Sequence, residues 1–204
     1  WRVGDSDVVV FGRDLEVTYR VWSPRAGYPG GRWYRDFHTG DPETGLHLAR
    51  VTSRTTPQER KAPYDPDRAA AAVTADAHDF VGVVRRRLVD IAQRRGDDRG
   101  LVVAAFDTEL FGHWWHEGPQ WLEQVLRLLP EAGIEVTTLG GALADGRVAG
   151  RARLGPGSWG SGKDFRVWNG PAAADLAADN AAAADRLLAT VERHGGPRRD
   201  AALD

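Results

Sequence analysis

The residues most able to do chemistry in this chain lie in an acidic and aromatic cluster that directly follows the apolar run 101–106. Asp107 and Glu109 are one residue apart, so in an extended chain both carboxylates would point the same way. A positioned carboxyl group can protonate a leaving oxygen or take a proton from an attacking hydroxyl. Two carboxyl groups that work across one bond must instead face it, so they normally come from different strands. We therefore expect at most one catalytic carboxylate here, and Asp107, at the predicted strand end, is the better candidate. From the residues alone, however, a helix or turn cap is the favoured role for a lone Asp after a strand.

A metal site is the competing interpretation of the same cluster. His113 and His116 are three residues apart, and Glu109 or Glu117 could supply a third ligand. Two tryptophans separate these histidines, whereas zinc motifs usually place histidines at i and i+4 on a formed helix. We therefore expect ordinary hydrogen-bonded histidines and predict no metal site.

A glycine-rich stretch matches two nucleotide-binding patterns. Residues 155–160 fit G-x-G-x-x-G, and residues 157–163 fit the phosphate loop up to its last position, where Asp164 replaces Ser or Thr. Both patterns need a buried strand before the loop and a helix after it, and neither flank fits. Asp164 would also repel a phosphate. We therefore predict no nucleotide cofactor.

The elements expected to position Asp107 are a buried strand at 101–106 and a helix at 120–129, which starts just after Gly118 and Pro119. The rest of the pattern predicts strands at 7–11 and 134–138, a possible strand at 46–52, a strand or short helix at 15–22, a helix at about 68–95 with Asp67 as its N-cap, and a helix from 172 to about 194. This alternation predicts an α/β fold with a parallel sheet or barrel. A change in composition places a domain boundary near residue 150.

Composition narrows the class of protein. The chain has 204 residues, 42% of them hydrophobic and 27% charged, as in an ordinary globular protein. A net charge of −2 gives no basic field that would favour nucleic acid or an anionic membrane. The absence of Cys excludes disulfides and thiol catalysis. Because the chain contains no Met and begins with Trp1, we expect it to be a piece of a longer protein.

Tryptophan is the most frequent aromatic residue, with 8 Trp against 6 Phe and 4 Tyr. Large flat rings in loops are typical of sites that bind sugars or other rings, although they can also simply fill a core. Both interpretations stay open at this point.

A resemblance adds to these observations. The stretch FDTELFGHWWHEGPQWLE (106–123) resembles the fourth sequence region of glycoside hydrolase family 57, in the form found in its 1,4-α-glucan branching enzymes. FGRD (11–14), YRVWSPRAGYPG (19–30) and YRDFH (34–38) resemble the segment upstream of that region, and PGSWGSGKDFRVW (156–168) resembles the fifth region. The resemblance is collinear over residues 8 to 190.

The resemblance implies roles for six residues. The Asp that opens the fourth region is the family's general acid/base, which corresponds to Asp107. Its sugar-binding positions correspond to Arg13, Gly30 and Trp159, and its further cleft aromatics to Trp22 and Trp168. The family's fifth region often has Gly-Gly-Asp-His where this chain has residues 162–165, a departure that bears on fine specificity.

The resemblance also implies a fold and a reaction. We expect the C-terminal part of an irregular (β/α)7 barrel at residues 1–150, followed by the start of an α-helical domain at 151–204. The family's nucleophilic Glu and its His-x-His have no counterpart among residues 1–100, so we expect this piece to be inactive alone.

The expected function is retaining glucosyl transfer from an α-1,4 to an α-1,6 linkage. The expected partner is an α-glucan, without cofactor, metal, nucleic acid or membrane, in the cytoplasm. The alternatives are an α-amylase or 4-α-glucanotransferase of the same family, or a non-catalytic glucan-binding module.

Overall fold

The structure, a computed structural model, describes residues 1–23, 25–97 and 100–193. It divides into two compact units, Trp1–Arg151 and Ala152–Asp204. Its helices are α1 (Leu15–Val21), α2 (Pro66–Arg95), α3 (Gly118–Glu131), α4 (Leu139–Ala144), α5 (Arg166–Asn169) and α6 (Ala174–Arg193), and its strands are β1 (Arg2–Val3) and β2 (Arg151–Ala152). Within the described ranges, no helix is both long and apolar enough to cross a membrane.

The long helix α2 carries the core of the first unit. Asp65 caps it by accepting a hydrogen bond from the Arg68 amide at 3.1 Å, and Gly96 ends it in the left-handed region at φ 74°. The predicted cap, Asp67, is wrong because Pro66 already occupies the first helical position, where its missing N–H costs nothing.

The core forms where α2 packs against α3 and α1. Trp121 of α3 is 1% exposed, and its ring meets Phe80 of α2 edge-on, with the centroids 4.9 Å apart. Val17 and Val21 add the buried face of α1. The open choice of strand or helix at 15–22 is therefore resolved as a helix.

The strands predicted at 7–11, 101–106 and 134–138 are wrong for the described residues. Segment 101–106 is irregular; the Val103 carbonyl accepts a hydrogen bond from the Asp14 amide at 2.9 Å, and Ala104 and Ala105 are exposed. An apolar run becomes a strand only if a neighbouring strand pairs with it. Here the run is instead half-buried, because Val102 and Phe106 pack against the helical core.

The described residues contain one sheet, formed by the two-residue strands β1 and β2. The segment 46–52 makes only isolated bridges, at Ala49 and Arg50. The (β/α)7 barrel therefore stays a prediction.

The second unit is built from α6 and the loop segment 156–168, whose end runs into the short helix α5. Helix α6 begins at Ala174, two residues later than predicted, and is described to Arg193; His194 lies outside the described residues. Among its described residues, α6 has none that is buried. The assignment of the two units to a barrel and a helical domain stays a prediction.

Candidate functional site

Asp107 stands at the start of a compact loop between the extended segment 101–106 and α3. It occupies the N-cap position of a single 3₁₀ turn, Thr108–Leu110, and its carbonyl accepts a hydrogen bond from the Leu110 amide at 3.1 Å. Its side chain makes no capping bond and is exposed. The capping alternative is therefore wrong, and Asp107 presents a carboxylate to solvent.

This loop contains two adjacent tryptophans, of which one is buried and the other is exposed. Trp115 is 1% exposed, and its ring lies 5.3 Å from that of Tyr34 and 5.2 Å from that of Trp121. Its amide donates to the Leu110 carbonyl at 2.8 Å. Trp114 is 44% exposed. Trp115 therefore fills the core, whereas the ring of Trp114 is open to solvent, and binding of a ligand to it stays a prediction.

A cleft of about 540 Å³ lies beside this loop. Two exposed indoles line it, those of Trp22 and Trp114, and Trp22 is 38% exposed. Other residues that line it are Gly30, Arg35, Asp36, Phe37, Lys61 and Leu110. A concave surface with apolar rings and a few charged groups is suited to a polar ligand that has apolar faces.

Trp114 is stacked from one side. The Phe37 ring lies 5.0 Å from it at an interplanar angle of 23°, and His113 meets Phe37 edge-on at 5.1 Å. Offset stacking of this kind fixes the orientation of an exposed ring. The face of Trp114 that Phe37 covers is therefore closed to a ligand.

The polar wall of the cleft is a buried ion pair. Asp36 is 3% exposed; it contacts the Lys61 ammonium at 2.5 Å and accepts a hydrogen bond from the Thr39 hydroxyl at 2.5 Å. Burial opposes ionisation, but these two donors hold the pKa of Asp36 below its usual value. The ion pair therefore fixes two charged groups in this wall of the cleft.

Glu117 ties the loop to the segment that carries Phe37. It is 2% exposed and accepts a hydrogen bond from the Arg35 amide at 3.0 Å. Burial and the nearby negative charge of Glu117 raise the pKa of Tyr64 to about 12. Sequence reasoning missed this role; the available signal was a carboxylate beside the Gly-Pro helix start.

Two tyrosines fix the segment that carries Gly30 onto α2. Tyr28 donates a hydrogen bond to Asp79, and Tyr34 donates one to Asp76, each at 2.6 Å. Burial raises the pKa of both phenols and, despite the bond from Tyr34, that of Asp76. A Cβ on Gly30 would clash with the Arg54 guanidinium, so a side chain there would displace Arg54.

Arg13 lies outside this cleft. It is exposed and lines a separate cavity of about 360 Å³. Its neighbour Asp14 accepts from Arg87 at 2.9 and 3.0 Å and caps α1. Burial opposes this ionisation, but Arg87 and the Val17 amide hold the pKa of Asp14 below its usual value.

The loop of the second unit presents two further exposed indoles. Trp159 is 59% exposed and Trp168 is 57% exposed. The Trp168 indole N–H donates to the Trp159 carbonyl at 2.7 Å. This bond brings together two residues that the resemblance had assigned to the substrate.

The two histidines of the suspected metal pair face different rings. His113 meets Phe37 and Trp114, whereas the ring of His116 lies 6.2 Å from that of Tyr64. The part of the chain that the structure describes gathers no group of three metal-ligating side chains.

Several known proteins are similar to this chain in sequence and structure. No family model matches the chain. A probable 1,4-alpha-glucan branching enzyme of Mycobacterium tuberculosis is 58% identical over 191 residues, which are 94% of this chain and 36% of that protein. A GH57 branching enzyme of Thermococcus kodakaraensis, solved in complex with glucose, superposes with a TM-score of 0.76 at 41% identity, over 82% of this chain and 30% of that one. The chain belongs to glycoside hydrolase family 57.

A second activity occurs among the similar structures. The α-amylase AmyC of Thermotoga maritima superposes on this family 57 chain with a TM-score of 0.69 at 30% identity, covering 81% of this chain and 36% of AmyC. The chain thus spans about a third of the length of the proteins it matches.

Within this family 57 chain, the structure brings some of the predicted site residues together. Trp22 and Gly30 line one cleft, to which the Asp107 loop contributes Leu110 and Trp114. Sequence reasoning did not single out Trp114. The available signal was its position next to Trp115, because two adjacent side chains rarely point into the same core. The catalytic and sugar-binding roles of the six residues stay predictions.

Proposed function

We propose that this chain supplies the general acid/base and several aromatic contacts of a retaining α-glucan branching enzyme. The observation that carries the proposal is the exposed carboxylate of Asp107, which makes no capping hydrogen bond. It stands at the start of the loop whose Trp114 lines an aromatic cleft. The branching-enzyme names of relatives that are 58% and 40% identical support the reaction.

The proposed reaction runs in two steps. In the first, Asp107 protonates the leaving glucosyl oxygen as a second carboxylate attacks the anomeric carbon and forms a glycosyl ester. In the second, Asp107 takes the proton from an incoming 6-hydroxyl, whose oxygen displaces the carboxylate and completes an α-1,6 bond. We assign no nucleophile within these residues, so we expect the chain to be inactive alone.

The proposed substrate is an α-glucan held against the indoles. Glucose has apolar faces that suit the flat rings of Trp22 and Trp114 and hydroxyl groups that suit charged donors such as Arg35. In the second unit, Trp159 and Trp168 are more exposed than either of these. We assign the first unit to part of a (β/α)7 barrel and the second to the start of a helical domain.

Asp107→Asn in the full protein that contains this chain tests the assignment. The amide cannot exchange the proton, so we expect branching of amylose to fall by about 10²- to 10⁴-fold, the usual share of general acid/base catalysis. Glu123→Gln, on the exposed face of α3, removes a carboxylate outside the cleft and serves as the matched control. Turnover by Asp107→Asn at the wild-type rate would refute the role of Asp107.

An α-amylase is the second candidate, favoured by the likeness to AmyC. Product analysis on amylose separates the two activities: new α-1,6 linkages indicate branching, and only shortened linear chains indicate an amylase. Re-lengthened linear chains would indicate a 4-α-glucanotransferase. Glycogen binding without any turnover would instead indicate a binding module.

A further inference from the structure

One side chain of the second unit covers an indole that the proposed function assigns to the glucan. The Lys163 ammonium lies 4.5 Å from the centroid of the Trp159 ring. Trp159 is nevertheless 59% exposed. One face of the ring thus carries a cation, and more than half of the residue is still open to solvent.

The backbone of the loop holds Lys163 in this place. Gly162 has φ 77°, and Lys163 and Phe165 have φ 55° and 68°, in the left-handed region that side chains rarely adopt. The Ser158 amide donates to the Lys163 carbonyl at 3.1 Å, and the Ser158 hydroxyl accepts from the Phe165 amide at 2.8 Å. A strained conformation of this kind persists only where surrounding contacts impose it.

The ammonium has no competing carboxylate beside it in the described structure. Asp164, the next residue, is held by Arg166, whose Nε lies 2.8 and 2.9 Å from the two carboxylate oxygens. That ion pair lowers the pKa of Asp164 and occupies both of its oxygens. The ring of Trp159 is therefore the partner that remains for Lys163.

We propose that Lys163 is a specificity-determining residue that covers one face of Trp159 and restricts an α-glucan to the opposite face. This inference rests on the proposed function, because it takes Trp159 as a glucan contact. The ammonium and the apolar face of a glucose ring compete for the same π surface, so only one of them can occupy it. Lys163 thereby fixes the side from which a glucan chain approaches this loop.

A double-mutant cycle on the full protein tests the proposal. The binding of maltoheptaose is measured by calorimetry in an Asp107→Asn background, so that the sugar is not consumed. Lys163→Ala keeps a Cβ at φ 55° and so leaves the backbone cost unchanged. We expect it to tighten binding by about 2-fold, because the glucan can then use either of two equivalent faces of the Trp159 ring. Arg153→Ala, which removes a cation elsewhere in the unit, is the control and should leave affinity unchanged.

In a Trp159→Ala background, Lys163→Ala should have no further effect. The proposal is overturned if Lys163→Ala weakens binding, leaves it unchanged, or acts equally with and without Trp159. Trp159→Ala alone distinguishes this failure from that of the proposed function. If it leaves the affinity unchanged, the glucan contact itself is refuted; if it weakens binding while Lys163→Ala has no effect, only the role of Lys163 is refuted.

Discussion

Two surfaces of the described chain each present a pair of exposed indoles, Trp22 with Trp114 and Trp159 with Trp168, and the molecule supports them in different ways. In the first unit, Trp114 is backed by the Phe37 ring, and its neighbour Trp115 is buried among the core aromatics. In the second unit, Trp159 is backed by the Lys163 ammonium, and the residues around it are largely exposed. The first surface is positioned by packing against the hydrophobic core. The second is a loop whose conformation depends on its own backbone hydrogen bonds.

This difference indicates where each surface is vulnerable. Tertiary packing determines the geometry of the cleft, so a substitution in the core should disturb the cleft even from a distance. The loop 156–168 depends on a few left-handed residues and local hydrogen bonds, so a single added methyl group should disturb it. The predictions below test that contrast, beginning with the largest effect.

Trp121→Ala should disrupt the first surface most strongly. Its ring contacts Phe80, Phe111 and Trp115, and removing a fully buried indole leaves a large cavity. We expect the free energy of unfolding to fall by about 3–5 kcal/mol, measured by urea denaturation. Leu126→Ala, 48% exposed on the same helix, is the control and should cost far less. Equal losses for the two variants would contradict a core centred on Trp121.

Gly162→Ala should disturb the second surface without touching a core. Gly162 has φ 77°, and an added Cβ would lie 2.9 Å from Nε of Arg166. An L-residue in this region costs about 1–2 kcal/mol, so the hydrogen bond from the Trp168 indole to the Trp159 carbonyl should open about 5- to 30-fold more often. Hydrogen exchange of that indole N–H, followed by NMR, measures the opening. Gly155→Ala, where an added Cβ meets nothing within 4 Å, should exchange as the wild type does.

The same contrast explains what the sequence could and could not predict. Helices α2 and α3 were predicted correctly, since their apolar stripes and end signals are local features. The strands were not, because a strand needs a pairing partner that an apolar run does not specify. Contacts between distant segments decide which of Trp114 and Trp115 is exposed. They also bury Glu117 against the Arg35 amide.

The predicted site shows the same limit. The resemblance picked out Trp22 and Gly30, which do share a cleft, yet it could not separate them from Arg13, which lines another cavity. The buried pair of Asp36 and Lys61 was missed because the two residues are 25 positions apart in a segment that looks like a polar loop.

Phe37→Ala should weaken the first surface by a smaller amount. Phe37 stacks on Trp114 and also lines the cleft, so its removal takes away both the contact that orients Trp114 and part of the cleft wall. An aromatic pair contributes about 0.5–1.5 kcal/mol beyond burial, so we expect maltoheptaose affinity to fall by about 2- to 13-fold in calorimetry. Tyr19→Ala, which removes an exposed ring outside the cleft, should have little effect. A Phe37→Ala variant that binds as tightly as wild type would show that Trp114 needs no support.

The smallest predicted effect concerns acid, and it contrasts a buried ion pair with an exposed one. Asp36 in the cleft and Asp164 in the loop both have a pKa below the usual 3.8, held there by Lys61 and Arg166 respectively. A lowered pKa adds stability that is present above the unfolded value and is lost as the pH falls through the folded value.

We therefore expect the free energy of unfolding to decline as the pH falls from about 4 toward about 2, and to decline less steeply in Asp36→Asn. Asp164→Asn should follow the wild-type slope, because water and salt screen an exposed pair. Urea denaturation across this range gives the three slopes. If Asp164→Asn changed the slope more than Asp36→Asn did, the loop would depend on its ion pair as strongly as the cleft depends on its own, and the contrast between a packed surface and a locally held one would fail.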